Sequence, residues 1–186
     1  MYTPLPSNVS VWVCVIRPYG SWTIPKMRIL GLDPGTASTG YGIVDAIAGE
    51  LAVVTYGVVR TNPEERDARR LQQIYEAVNG LIATYKPEAA AVEQVFFGRN
   101  VTTAITVGQA RGVLLLAMEN AGISIAEYSP PKIKETIVGY GNADKAQMQM
   151  MVRHLLHLDK TPQPDDAADG LAVAITHYHY HRYENL

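Results

Sequence analysis

A chain of 186 residues, 47% hydrophobic with a mean hydropathy of −0.03, is long enough to bury one sizeable core and reads as a soluble globular domain, with no apolar run near the roughly 18 residues a membrane span needs. The net charge is −2, and because residues 1–26 hold two cations (Arg17, Lys26) and no acid, the remainder carries 14 basic against 18 acidic residues, which is not the basic excess of an ordinary nucleic-acid binder unless some carboxylates are neutralised by metal. The single cysteine, Cys14, excludes an internal disulfide and fits a reducing compartment.

Residues 1–26 differ in composition from the rest, holding both tryptophans, the cysteine and four of the eleven prolines. Their apolar run at 9–16 has no basic stretch before it and no small-residue cleavage site after it, so it does not read as a secretion signal. They are expected to be an N-terminal extension outside the fold, followed by a domain over 27–180 and a tail over 181–186. The stretch 28–32 (RILGL) predicts a buried strand that ends in the turn chemistry of Asp33-Pro34-Gly35-Thr36. Residues 40–44 and 51–59 predict two more strands joined near Ala48-Gly49, and three strands in quick succession predict an antiparallel meander. Asn62-Pro63-Glu64-Glu65 reads as a capped helix start, and Leu71, Ile74, Val78, Leu81, Ile82 and Tyr85 follow at helical spacing until Lys86-Pro87.

Ala89–Val92 then predicts a buried strand ending in Glu93. A long helix over 100–120 carries Ala104, Ile105, Val107, Ala110, Val113, Leu114, Leu115, Ala117 and Met118 around more than one face, so one side is expected on the sheet and the other on a second subunit. A strand at 123–128, a short helix at 130–138, a glycine-rich turn, a helix over 143–158 capped by Asn142, and a last helix over 166–179 complete the chain. The order predicts an α/β fold with a mixed five-stranded sheet flanked by helices, its first three strands antiparallel.

Glu93 is the most telling residue. A carboxylate at the end of an apolar strand is costly to bury alone and calls for a positive partner. Asp33 ends an earlier strand in a similar place, and Asp166 and Asp169, three apart, project from one helical face. Asp165, four before Asp169, shares that face. Taken singly, Asp33 suits a turn and the C-terminal pair suits a helix N-terminus. Together, four clustered carboxylates repel one another, and hard oxygen-preferring cations, Mg²⁺ or Mn²⁺, resolve that repulsion. Two such ions can activate water and stabilise a leaving oxygen in phosphodiester cleavage. Lys145, in the first turn of a helix after glycine-rich 138–141, would attract phosphate. Phe96 and Phe97, in a presumed loop, suit stacking against bases as well as core packing. His177, His179 and His181 are splayed by their two-residue spacing on a helix and do not read as a metal tract.

The stretches ILGLDPGTASTGYGIV (29–44), AVEQVFFGRN (91–100), GQARGVLLLA (108–117), VGYGNADKAQMQMMV (138–152) and DDAADGLAVAITH (165–177) resemble the RuvC family of bacterial Holliday-junction resolvases, in the RNase H-like superfamily. The resemblance runs through nearly all of 27–180 and leaves 1–26 uncovered. It implies an RNase H-like fold and a cytoplasmic, Mg²⁺-dependent endodeoxyribonuclease, with two ions per site and Mn²⁺ able to substitute. Such an enzyme resolves four-way junctions by paired symmetric nicks in recombination and repair, as a homodimer working with a RuvA–RuvB branch-migration complex. It implies Asp33, Glu93, Asp166 and Asp169 as the metal-binding acids, Asp166 being chosen over Asp165 by the family's D-x-x-D spacing. It implies Phe96, Lys134 and Lys145 as DNA contacts, with Arg99 and Arg111 as weaker candidates. Three rivals are a nuclease of the same fold acting on structured RNA, an actin-like ATP-binding protein or sugar kinase suggested by GLDPGT, and an inactive DNA-binding scaffold. The second needs a duplicated domain and more chain than 186 residues, and the presence of all four acids opposes the third.

Overall fold

The computed structural model describes residues 26–95 and 101–184. In chain order the elements are β1 (Lys26–Asp33), β2 (Ser38–Ile47), β3 (Glu50–Arg60), α1 (Asp67–Tyr85), β4 (Ala89–Glu93), α2 (Val101–Asn120), β5 (Ser124–Tyr128), α3 (Pro130–Val138), α4 (Lys145–Leu155) and α5 (Asp165–Glu184). The strands form one sheet in the order β3-β2-β1-β4-β5. The first three are an antiparallel meander, while β1–β4 and β4–β5 are parallel. The β2–β3 hairpin closes through Ala48 (φ 53°) and Gly49 (φ 92°), the two positive φ values that a two-residue turn matched to strand twist requires.

The pleat decides which layer each strand residue joins. Leu30, Leu32, Ala90 and Val92 point to one face, where they bury against Ile74 and Val78 of α1 and Leu114 and Met118 of α2. Ile29 and Ala91 point to the other, against Leu171, Ala172 and Ile175 of α5. Full burial of each large apolar side chain contributes roughly 1.5–3 kcal/mol, so both layers are needed to hold the sheet between them. The same alternation sends Gly31 and Asp33 to the α5 face. α5 lies so close to β1 and β2 that the facing positions have no room for a side chain. A Cβ on Gly31 would overlap the Gly170 carbonyl and the Ala174 backbone, one on Gly42 would meet the Leu171 backbone, and one on Gly170 would meet Tyr41.

Two helix starts differ from expectation. α1 begins at Asp67, after Arg66, and not at Asn62. The Asn62 side chain accepts from the Glu64 amide at 3.0 Å and closes a turn, so it is unavailable as a helix cap. α4 begins at Lys145 under a reciprocal capping box: Asp144 accepts from the Gln147 amide at 2.8 Å and the Gln147 side chain accepts from the Asp144 amide at 2.9 Å. Asp144, not Asn142, is therefore the cap. On α2, Ala104, Ala110, Leu114, Ala117 and Met118 are buried, while Ile105 is 56% exposed and Leu116 54%, so that, as expected, the helix has apolar residues on a side that the sheet does not cover. β1 starts at Lys26, one residue before the expected domain start, where the ammonium pairs with Asp45 at 2.6 Å, and α5 continues to Glu184, past the expected end at 180. The expectation for residues 1–25 lies outside the described residues.

Replacing Gly31 by alanine forces a methyl into the α5 backbone and is expected to destabilise the protein by about 3 kcal/mol or more, measured by urea unfolding. A loss under about 0.5 kcal/mol would mean that α5 does not hold this distance from β1.

Candidate active site

In the parallel β1–β4 pair, Leu32 is opposite Val92. The next residues, Asp33 and Glu93, therefore end adjacent strands side by side. Both fall on the α5 face by strand parity, and α5 brings Asp166 and Asp169 to the same place from its first turns. One carboxylate oxygen from each of Asp33, Asp166 and Asp169 lies within 4.8 Å of the others. Glu93 completes the group through a side-chain hydrogen bond with Asp33. Beside the acids is a hollow of about 340 Å³ whose lining includes Asp33, Glu93, Asp169, Lys134 and Lys145.

Burial, followed by the charges of Glu93, Asp169 and Asp166, pushes the Asp33 carboxyl up to about 8. Burial and the Asp169 charge push Glu93 up to about 7, against the opposing effects of the Asp33 hydrogen bond and Lys134. Asp169 is also raised, by burial first, with Lys145 opposing. Burial and the neighbouring carboxylates outweigh the lysine, so the pair binds protons near neutrality. The donor set is all oxygen and convergent, which fits a hard divalent ion better than any thiophilic metal.

Asp165 behaves differently from Asp166. Gln149 donates to Asp165 at 2.8 Å and Lys145 lies 3.2 Å from it, and these hydrogen bonds hold its carboxyl below the usual range. Asp165 is thereby drawn toward α4 while Asp166 joins Asp33 and Asp169. Lys145 also reaches Asp169, at 3.8 Å, so α4 begins with a cation tied to the acidic group. Lys134, on α3, lines the same hollow. Arg111 is ion-paired with Glu127 of β5. Phe96, Phe97 and Arg99 lie outside the described residues. Of the histidines, His177 is buried, with Nδ1 3.0 Å from the Tyr128 hydroxyl, and its ring packs 5.8 Å from that of His181.

Sequence reasoning missed two partners of this site. One is Gln149, whose contact to Asp165 distinguishes the two adjacent aspartates. The other is Ser38, at the start of β2, whose hydroxyl donates to Asp166 Oδ2 at 2.5 Å. The only sequence sign of Ser38 was its place in the loop that follows Asp33.

The family model for crossover junction endodeoxyribonuclease RuvC matches residues 29–177. Among curated proteins, the chain is similar to a RuvC crossover junction endodeoxyribonuclease of Heliobacterium modesticaldum, with 55% identity over 149 residues, covering 80% of this chain and 92% of the relative. It is 50% identical to the protein of the same name from Syntrophomonas wolfei, over 86% of this chain and 93% of that one. Among solved structures it is similar to Thermus thermophilus RuvC in complex with a Holliday junction substrate, with a TM-score of 0.80 and 37% identity, covering 85% of this chain and 96% of that one.

The raised carboxyls have a stability consequence. Their folded-state pKa lies above the unfolded value near 4, so the protonated form is favoured by folding. That contribution is present below about pH 4 and is lost as pH rises through about 7 to 8. In metal-free buffer, Asp33→Asn is expected to raise the melting temperature by a few degrees at pH 8 and by less at pH 5. Thermal melts with chelator at both pH values check this, and an equal fall at both would contradict the crowding.

Proposed function

The chain belongs to the RuvC family of crossover junction endodeoxyribonucleases, and on that premise we propose that it resolves four-way DNA junctions by hydrolysing one phosphodiester bond in each of two symmetry-related strands. The observation that supports this most directly is the convergence of Asp33, Asp166 and Asp169 within 4.8 Å, with Glu93 bonded to Asp33, in a chain that the family model matches from 29 to 177. Asp33, Glu93, Asp166 and Asp169 would hold the metal. Bound Mg²⁺, in two-ion occupancy and replaceable by Mn²⁺, supplies Lewis acidity and charge neutralisation at the scissile phosphate.

The protein's own groups do the rest. Holding the acids at strand ends and on the first turns of α5 fixes their oxygens on rigid elements. Lys134 and Lys145, which line the hollow, draw the phosphate backbone toward it. Lys145 stands at the N-terminus of α4, where the helix dipole adds to its charge. Arg111, ion-paired with Glu127 as Lys145 is with Asp165 and Asp169, remains a weaker candidate for backbone contact beside the two lysines. Phe96 remains the proposed base contact and Arg99 a weaker backbone contact.

A junction with near two-fold symmetry requires two cuts, which a two-fold homodimer supplies with one site per strand. The exposed Ile105 and Leu116 fall on one strip of α2 with Gly108 and Gly112, whose Cβ positions meet no atom within 4 Å. That strip is where we place the subunit contact. A RuvA–RuvB motor is the proposed upstream partner, and the bacterial cytoplasm the proposed location; no helix among the described residues is long and apolar enough to cross a membrane.

The test uses a labelled immobile four-way junction with Mg²⁺ or Mn²⁺. The expected products are paired symmetric nicks with ligatable ends, absent with chelator and reduced roughly a thousandfold or more in Asp33→Asn while junction binding persists. Failure to cut or bind junctions of varied core sequence with either metal would reject the proposal, and cleavage of structured RNA instead would favour the related nuclease reading.

A further inference from the structure

The Ser38 hydroxyl sits 2.5 Å from Asp166 Oδ2, a contact spanning 128 positions in sequence. Its loop is tied down on every side. Thr36 Oγ1 donates to the Thr106 carbonyl of α2 at 2.7 Å, and Thr39 Oγ1 donates to the Gly35 carbonyl at 2.6 Å. Thr61, just past β3, donates through its hydroxyl to the Thr36 carbonyl at 2.7 Å and through its amide to the Ala37 carbonyl at 3.3 Å. Ser38 is therefore presented by a braced backbone. The Asp166 main chain is also fixed, because its carbonyl packs where a Cβ on Gly40 would stand. Backbone and side chain of Asp166 are thus both set from β2.

The remaining acids are held by other means. Asp33 and Glu93 bond to each other, and Asp169 faces Lys145 at 3.8 Å. Asp166 has Ser38. A hydroxyl that donates to one carboxylate oxygen restricts the rotation of the whole group and leaves its remaining lone pairs available to a cation.

We propose that Ser38 is a positioning residue of the metal site, holding the Asp166 carboxylate oriented for the ion. The inference rests on the metal-site reading given above. It assigns Ser38 no contact with substrate or metal. Loss of such an orienting contact typically weakens metal binding by about 10- to 100-fold, and the partly exposed geometry here points to the lower end.

The test compares the full chain with Ser38→Ala and Ser38→Thr. Direct binding of Mn²⁺ is followed by electron paramagnetic resonance, and junction nicking is followed as a function of Mg²⁺ concentration. Ser38→Ala is expected to bind Mn²⁺ roughly tenfold more weakly and to need a correspondingly higher Mg²⁺ concentration for half-maximal nicking. Its loss should fall on that midpoint far more than on the rate at saturating metal. Ser38→Thr keeps the hydroxyl and should restore both midpoints to within about twofold of the parent. A Ser38→Ala protein with the parent's metal midpoints, even one that melts at a lower temperature, would overturn the inference and leave Ser38 as a structural contact only. A Ser38→Thr protein as impaired as Ser38→Ala would overturn it as well. If the parent chain itself neither binds Mn²⁺ nor nicks, the metal-site reading fails, and that result is separate from any difference among the variants.

Discussion

Carboxylates of Asp33, Asp166 and Asp169 with oxygens within 4.8 Å of one another repel once ionised, and half-burial removes much of the water that would screen them. A domain has no stability reason to gather charge this way. The arrangement is enforced by close packing: Gly31, Gly42 and Gly170 let α5 rest directly on β1 and β2, which carries Asp166 and Asp169 to the strand ends that bear Asp33 and Glu93. The two apolar layers on either side of the sheet hold that geometry against the repulsion. The cost is held locally, as raised carboxyl pKa values, and a bound divalent cation would relieve it. Stability and function pull in opposite directions at this site.

The surroundings limit how the acids can move. Threonine hydroxyls tie the loop after β1 to α2 and to the end of β3, while Gln149 and Lys145 draw Asp165 out of the group. Of three acids in the first turns of α5, two thereby lie in the cluster with Asp33. Two lysines line the same hollow as the acids, Lys134 on α3 and Lys145 at the start of α4. On the proposed reading, an acidic chain would still offer a phosphate a favourable approach, because the clustered carboxylates are the ones a cation would neutralise.

Much of this was legible in the sequence, for identifiable reasons. The strand ending in Glu93 is apolar on both faces because helices cover both, and that pattern survives in a single sequence. Asp33 stood out because it ends a buried strand as Glu93 does, although before Pro34 and Gly35 it suits a turn when taken singly. The start of α1 was misread because Asn62-Pro63 looks like a cap yet closes a turn of its own. The Asp144–Gln147 box was present in the letters, but neighbouring Asn142 is an equally plausible cap until hydrogen bonds decide. Asp165 and Asp166 could be separated by spacing only through the family resemblance, since what separates them physically is a contact from α4. Ser38 was invisible because its partner is 128 residues away. The exposure of Ile105 and Leu116 also had to come from the structure, since α2 is apolar nearly all round and its sequence does not mark which side the sheet takes.

The central claim is that the four acids form one divalent metal centre. The most direct measurement is anomalous diffraction from crystals of the protein grown with Mn²⁺ and an uncleaved four-way junction. The account predicts Mn²⁺ peaks among the carboxylates of Asp33, Glu93, Asp166 and Asp169, adjacent to a junction phosphate. Well-ordered acids with no peak at saturating Mn²⁺, or manganese held elsewhere on the chain while the junction is bound, would contradict it.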